Sequence, residues 1–151
     1  MDHKLKLMVV DDSPLFRTWL IRSLSEDDRF QVVGYAINAL DAQEKIPLLQ
    51  PDMLTLDIEM PGMSGIDFLK QLLPVHPIPV ILVSSLNLRV FDALEAGAVD
   101  FVRKPDEANG LSKEIFLSML RSKLLVAAAS HVHLPSVPAS PQAAKKRIVS
   151  P

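Results

Sequence analysis

Three observations predict an α/β fold built as a doubly wound (βα)5 parallel sheet. Short apolar runs of strand length alternate five times with stretches of helical periodicity across residues 1–125. Helix caps and turn residues fall between them, notably Ser13-Pro14, Asn38, Pro61-Gly62 and Gly97. The chain of 151 residues is 48% hydrophobic, enough to bury one real core and too apolar for a fully disordered protein. Alternating strands and helices imply a parallel sheet covered on both faces, with right-handed crossovers.

The elements are read in order. Leu5–Val10 is an apolar run bounded by charge, a buried first strand. Ser13 caps a helix with Pro14 at its first position, and Leu15, Trp19, Leu20 and Leu24 follow at helical spacing. Val32–Ala36 is the second strand. Asn38 then caps a helix carrying Leu40, Ala42 and Ile46. Met53–Leu56 is the third strand, ending in Asp57, and the turn at Pro61-Gly62 leads to a stripe of Ile66, Leu69, Leu72 and Leu73. Val80–Val83 is the fourth strand. A helix over 87–96 stops at Gly97, and Val99–Val102 is the fifth strand. Residues 111–125 make a last amphipathic helix with Ile115, Met119 and Leu120.

Composition narrows the function. The chain has no cysteine, so it holds no disulfide framework, thiolate metal site or thiol nucleophile, which fits a reducing, cytoplasmic setting. A net charge of −2 gives no basic footprint for nucleic acid. With five glycines and no G-x-G-x-x-G or P-loop pattern, a glycine-rich nucleotide cradle is not expected. No apolar run nears the roughly 20 residues that span a bilayer, so no membrane insertion is expected, and the N-terminus is not a secretory signal. Every acidic residue lies at or before Glu114, whereas residues 126–151 hold only Lys145, Lys146 and Arg147 as charges, with four of the twelve prolines. The reading is therefore a domain over 1–125 and a flexible Pro/Ala/Ser-rich linker or tail over 126–151.

In open parallel sheets, ligands sit beyond the carboxyl ends of the strands. Asp11 and Asp12 follow the first strand, Asp57 the third, Ser84 and Ser85 the fourth, and Lys104 the fifth. Each has a bland reading alone: turn chemistry for the aspartates, a satisfied backbone group for Ser84, a solvated lysine for Lys104. Jointly they place three carboxylates, a hydroxyl and an ammonium on one rim. Clustered carboxylates repel one another unless a cation intervenes. An all-oxygen set with few carboxylates suits Mg²⁺ better than Ca²⁺ or zinc. An aspartate beside such an ion can attack phosphorus and form an aspartyl phosphate.

Leu7-Met8-Val9-Val10-Asp11-Asp12-Ser13, Leu56-Asp57-Ile58-Glu59-Met60-Pro61, Val83-Ser84 and Lys104-Pro105 together resemble the receiver domain of two-component response regulators, over roughly residues 4–125. The resemblance implies a flavodoxin-like fold with strand order 2-1-3-4-5. It implies that Asp57 accepts a phosphoryl group from a histidine kinase. Asp12, Asp57 and the backbone carbonyl of Glu59 would bind Mg²⁺, with Asp11 acting through a metal-bound water. Lys104 would pair with the phosphoryl oxygens, the Lys104-Pro105 bond would be cis, Ser84 would hydrogen-bond the phosphate, and Phe101 would be the aromatic switch.

Asp57-Ile58-Glu59-Met60-Pro61, Val83-Ser84-Ser85-Leu86 and Gly97-Ala98-Val99-Asp100-Phe101-Val102 are most similar to the receiver of the chemotaxis protein-glutamate methylesterase. That resemblance implies a chemotaxis histidine kinase as phosphodonor, a methylesterase domain as effector and chemoreceptors as further partners. Lys146-Arg147-Ile148-Val149 resembles the first strand of the esterase domain, but the catalytic serine, histidine and aspartate have no counterparts in these 151 residues. The chain is thus read as a receiver and not itself an esterase. Two competing readings are a stand-alone receiver that docks a partner or drains phosphate, and a Mg²⁺-dependent phosphohydrolase with Glu59 as its second acid. Continuation of the gene into an esterase domain separates the first, and multiple turnover of a phosphoester the second. The 84–104 segment is shorter than the family's by about one helical turn of 3.6 residues, and Asn38-Ala39-Leu40 stands where the family often has glycine. Met60 and Met63 read as loop packing. His131 and His133 read as tail residues, not a metal site.

Overall fold

The computed structural model describes residues 4–85, 89–106, 108 and 110–133. The elements are β1 (Leu5–Val10), α1 (Pro14–Ser25), β2 (Phe30–Ala36), α2 (Ala39–Leu49), β3 (Met53–Leu56), α3 (Gly65–Leu72), β4 (Val80–Ser84), α4 (Arg89–Glu95), β5 (Asp100–Arg103) and α5 (Lys113–His133). All strand pairs are parallel, and the sheet runs β2-β1-β3-β4-β5, the order expected from the sequence.

Two apolar clusters fill the two faces of this sheet. Met8, Val10, Leu54, Leu56 and Leu82 meet α2, α3 and α4 through Ile46, Phe68, Leu69 and Val90. Leu7, Val9, Met53, Ile81 and Val102 meet α1 and α5 through Leu20, Leu24, Phe116, Leu120 and Leu124. The side-chain period of two therefore sorts each strand between two cores. Met60 and Met63 pack into the first cluster.

The caps act as read. Ser13 Oγ accepts from Phe16 N–H at 3.5 Å, and Asn38 Oδ1 accepts from Asp41 N–H at 2.8 Å. Gly97 follows α4 at φ +121°, a conformation that favours glycine. Ser64 caps α3. Gly65, the first residue of α3, lies against the backbone of the β3–α3 loop, where an added Cβ would stand 2.6 Å from Ile58 Cα and 3.1 Å from Asp57 O.

Several sequence expectations need correction. Helix α5 does not stop at Leu125 but continues to His133, with Ala127 buried. Residues 126–133 thus extend the folded unit instead of beginning a tail; the apolar stripe Phe116, Leu120, Leu124, Ala127 holds its spacing of four, four and three and keeps the helix on the sheet. Leu15, Leu40, Ile115 and Met119, read as apolar positions of their helices, are exposed. Ile115 and Met119 each precede a buried residue, about 100° around the helix from the stripe. Strand β2 begins two residues earlier than expected, because Phe30 is buried. The expected start of the fourth helix at 87–88, Leu86 and everything beyond His133 lie outside the described residues.

Replacing Gly65 with alanine is expected to cost about 1–3 kcal/mol by forcing the Asp57–Ile58 backbone aside, measured as a drop in the urea midpoint. A second outcome concerns pH. Asp27, just after α1, accepts from Arg29 Nη2 at 2.6 Å and Nε at 2.9 Å, and faces Arg121 Nε of α5 at 3.5 Å. The Arg29 hydrogen bonds, opposed by partial burial, hold its pKa down at about 2. A depressed carboxylate pKa gives stability that is present above the unfolded value near 3.9 and is lost as pH falls towards about 2. Asp27→Asn should therefore lose about 0.5–1 kcal/mol at neutral pH, with the gap to the parent narrowing as urea unfolding is repeated below pH 4.

Candidate functional site

Backbone pairing does not end where the strands do. Asp11 N–H donates to Ala36 O, Asp57 N–H to Val10 O and Lys104 N–H to Ser84 O, each at 3.0 Å. These bonds hold the three residues in register one step beyond the sheet. Alternation along β1, β3 and β5 then turns Asp11, Asp57 and Lys104 to the side that Leu7, Val9, Met53 and Val102 occupy below.

The result is a compact polar pit. Lys104 Nζ lies 3.0 Å from Asp11 Oδ2 and 3.2 Å from Asp57 Oδ2. Ser84 Oγ, fully buried, donates to Asp57 Oδ1 at 3.2 Å, and Glu59 N–H donates to the same oxygen at 3.1 Å. Asp11 Oδ1 accepts from Ser13 N–H at 2.8 Å. Asp12 is exposed at the mouth, and one carboxylate oxygen from each of Asp11, Asp12 and Asp57 lies within 4.8 Å of the others.

Burial pushes the Asp11 pKa up; the Ser13 N–H and Lys104 work against that without cancelling it, and the Asp57 charge adds to it. Burial alone would lower the Lys104 pKa, but Asp11 and Asp57 beside it prevail and hold the ammonium above its ordinary range. Three carboxylates thus face one lysine, a donor set of hard oxygens with negative charge in excess, which is what a divalent cation fits.

The chain matches the response regulator receiver domain family over residues 7–116. It belongs to that family. Among curated relatives of this receiver, the protein-glutamate methylesterase/protein-glutamine glutaminase 2 of Syntrophomonas wolfei is 45% identical over 130 residues, covering 86% of this chain and 38% of that protein. The corresponding enzyme of Hydrogenovibrio crunogenus is 49% identical over 106 residues, 68% of this chain and 28% of that one. The receiver therefore spans well under half the length of these relatives. Among solved structures, the response regulator domain of Thermotoga maritima CheB superposes with a TM-score of 0.74 at 36% identity, covering 84% of this chain and 98% of that one. This is a CheB-type receiver. A chain from the complex of the P1 domain of CheA3 with CheY6 of R. sphaeroides superposes with a TM-score of 0.68 at 28% identity, over 83% of this chain and 97% of that one.

Of the residues singled out in the sequence, the receiver brings Asp11, Asp12, Asp57, Ser84 and Lys104 together. The Glu59 side chain is exposed and stands outside the three-carboxylate group; its backbone N–H is what touches Asp57. Phe101 is half-buried against the first core cluster, its carbonyl accepting from Lys123 Nζ at 3.0 Å. The expected cis bond before Pro105 is not found: no cis peptide occurs among the described residues. Trans is the favoured isomer by about 0.5–1 kcal/mol, and Lys104 reaches both aspartates from it. Two neighbours escaped the sequence reading. Arg17 Nη1 donates to Asp11 O at 2.8 Å, and the Phe16 ring lies beneath the Lys104 ammonium, 4.6 Å from its centroid. The signal was there, since Phe16 precedes buried Leu20 and Leu24 by four and eight residues and so shares their helix face.

Removing one charge from the crowded cluster should stabilise the metal-free protein. Asp12→Asn is expected to raise the unfolding free energy by on the order of 1 kcal/mol, with the gain shrinking as MgCl2 is added to the urea titration.

Proposed function

We propose that this receiver takes a phosphoryl group on Asp57 from a chemotaxis histidine kinase and thereby controls a methylesterase domain. The observation that carries the reading is the environment of Asp57: a buried carboxylate with a hydroxyl on one oxygen, an ammonium on the other, and Asp11 and Asp12 beside it. Mg²⁺ would be held by Asp11, Asp12 and Asp57, with the Glu59 carbonyl as a further ligand. When bound, it would neutralise charge on the phosphoryl group as that group transfers.

The protein's own groups account for the rest. A carboxylate oxygen of Asp57 attacks phosphorus in line. The bond from phosphorus to the donor nitrogen breaks, and the electron pair leaves with the donor imidazole. The Lys104 ammonium is then within reach of the new phosphoryl oxygens, and the Ser84 hydroxyl can donate to them. Both shifts withdraw contacts from the resting Asp57 carboxylate. That redistribution would bias the end of β4 and the half-buried Phe101 between two arrangements, which an attached effector senses. The likeness to methylesterase relatives supports the effector, and the likeness to the CheA3–CheY6 complex supports the donor class. Among the described residues no helix is long and apolar enough to cross a membrane.

Acetyl phosphate with Mg²⁺ is expected to add one phosphoryl group, read by intact mass, and Asp57→Asn to add none. A phosphorylated Asn variant would overturn the assignment.

A further inference from the structure

Among the described residues, the Lys104 ammonium meets the carboxylates of Asp11 and Asp57 and one neighbour of another kind. That neighbour is the face of Phe16, 4.6 Å away at the ring centroid. A lysine carries four rotatable carbons and gains nothing from a carboxylate it has left. An aromatic face is different: it attracts the cation through its quadrupole, offers no oxygen that competes for a proton, and keeps water off one side. The ring is itself fixed. Its centroid lies 5.7 Å from that of Trp19 and 5.9 Å from that of Phe116, which meets it edge-on at 62°. Trp19 and Phe116 close the triangle at 5.9 Å, and Phe116 is fully buried in the core under α5. The Phe16 face is thus held by the body of the fold and not by the loop that carries Lys104.

We propose that Phe16 is a positioning residue for Lys104, its ring holding the ammonium over the pit while the lysine's hydrogen bonds pass from Asp57 to the arriving phosphoryl group. The role rests on the phosphoryl-acceptor reading above. Its signature is dependence on ring charge distribution, not on ring size.

The test incorporates 4-fluoro-, 3,5-difluoro- and 3,4,5-trifluorophenylalanine at position 16 of the whole chain. Phosphorylation by acetyl phosphate with Mg²⁺ is followed by intact mass, and fold by circular dichroism. Fluorines drain the ring face at nearly constant volume. The rate is expected to fall stepwise along the series, and Phe16→Leu to slow it by roughly threefold to thirtyfold. Without metal or phosphodonor, the Lys104 Cε protons should be shifted upfield in NMR by the ring, and Phe16→Leu should return them to ordinary values. Fluorinated chains that are phosphorylated at the same rate as the parent overturn the role of Phe16 alone. Lys104 protons that do not move on Phe16→Leu overturn the contact itself. A parent chain that takes no phosphoryl group overturns the function proposed for Asp57 and this role with it.

Discussion

The backbone ladder that runs past the ends of β1, β3 and β5 is the constraint on which the site depends. Three amide hydrogen bonds at 3.0 Å deliver Asp11, Asp57 and Lys104 to fixed places on one rim. Their side chains need no long-range search, because the pleat has already chosen the direction. The rest of the molecule serves that placement. Buried Val, Leu and Ile runs hold the strands in register, helices on both faces keep the sheet dry, and the close approach of Gly65 lets α3 start directly against the Asp57–Ile58 backbone.

The same placement has an electrostatic cost. Asp11, Asp12 and Asp57 together carry more negative charge than Lys104 offsets, and the pKa of Asp11 is raised first by its burial and then by the Asp57 charge. Relief of that repulsion would favour a bound cation or other charge-neutralising ligand. Lys104 is bound on both sides by aspartates that need it, and its raised pKa keeps it charged at any physiological pH.

Much of this was legible in the sequence because it depends on short-range rules. Strand runs, the Ser13-Pro14 and Asn38 starts and the Gly97 stop are each set by neighbours a few residues away, and the structure has them. The rim residues followed from topology, since a parallel sheet puts every strand's carboxyl end on one side. What failed depends on packing between distant segments. The length of α5 is decided by Ala127 finding a place under β4 and β5, and a run of Ala and Ser carries little sign of that. Leu15 and Leu40 sit exposed in the first turns of α1 and α2, where apolar character does not imply a core. The contact between Phe16 and Lys104 joins residues 88 apart: helical spacing puts Phe16 on the buried face of α1, but it does not name Lys104 as the partner.

Helix α5 has a geometric consequence. At 21 residues it is about 30 Å long, the full depth of a small domain. It starts beside the pit and ends among Pro77, Pro79, Gly97 and Val99, at the opposite pole. The last described residues of α5 therefore lie on the side of the sheet away from Asp57. A change at the rim would have to travel the length of the sheet or of this helix to reach that end, as in a lever and not a leash.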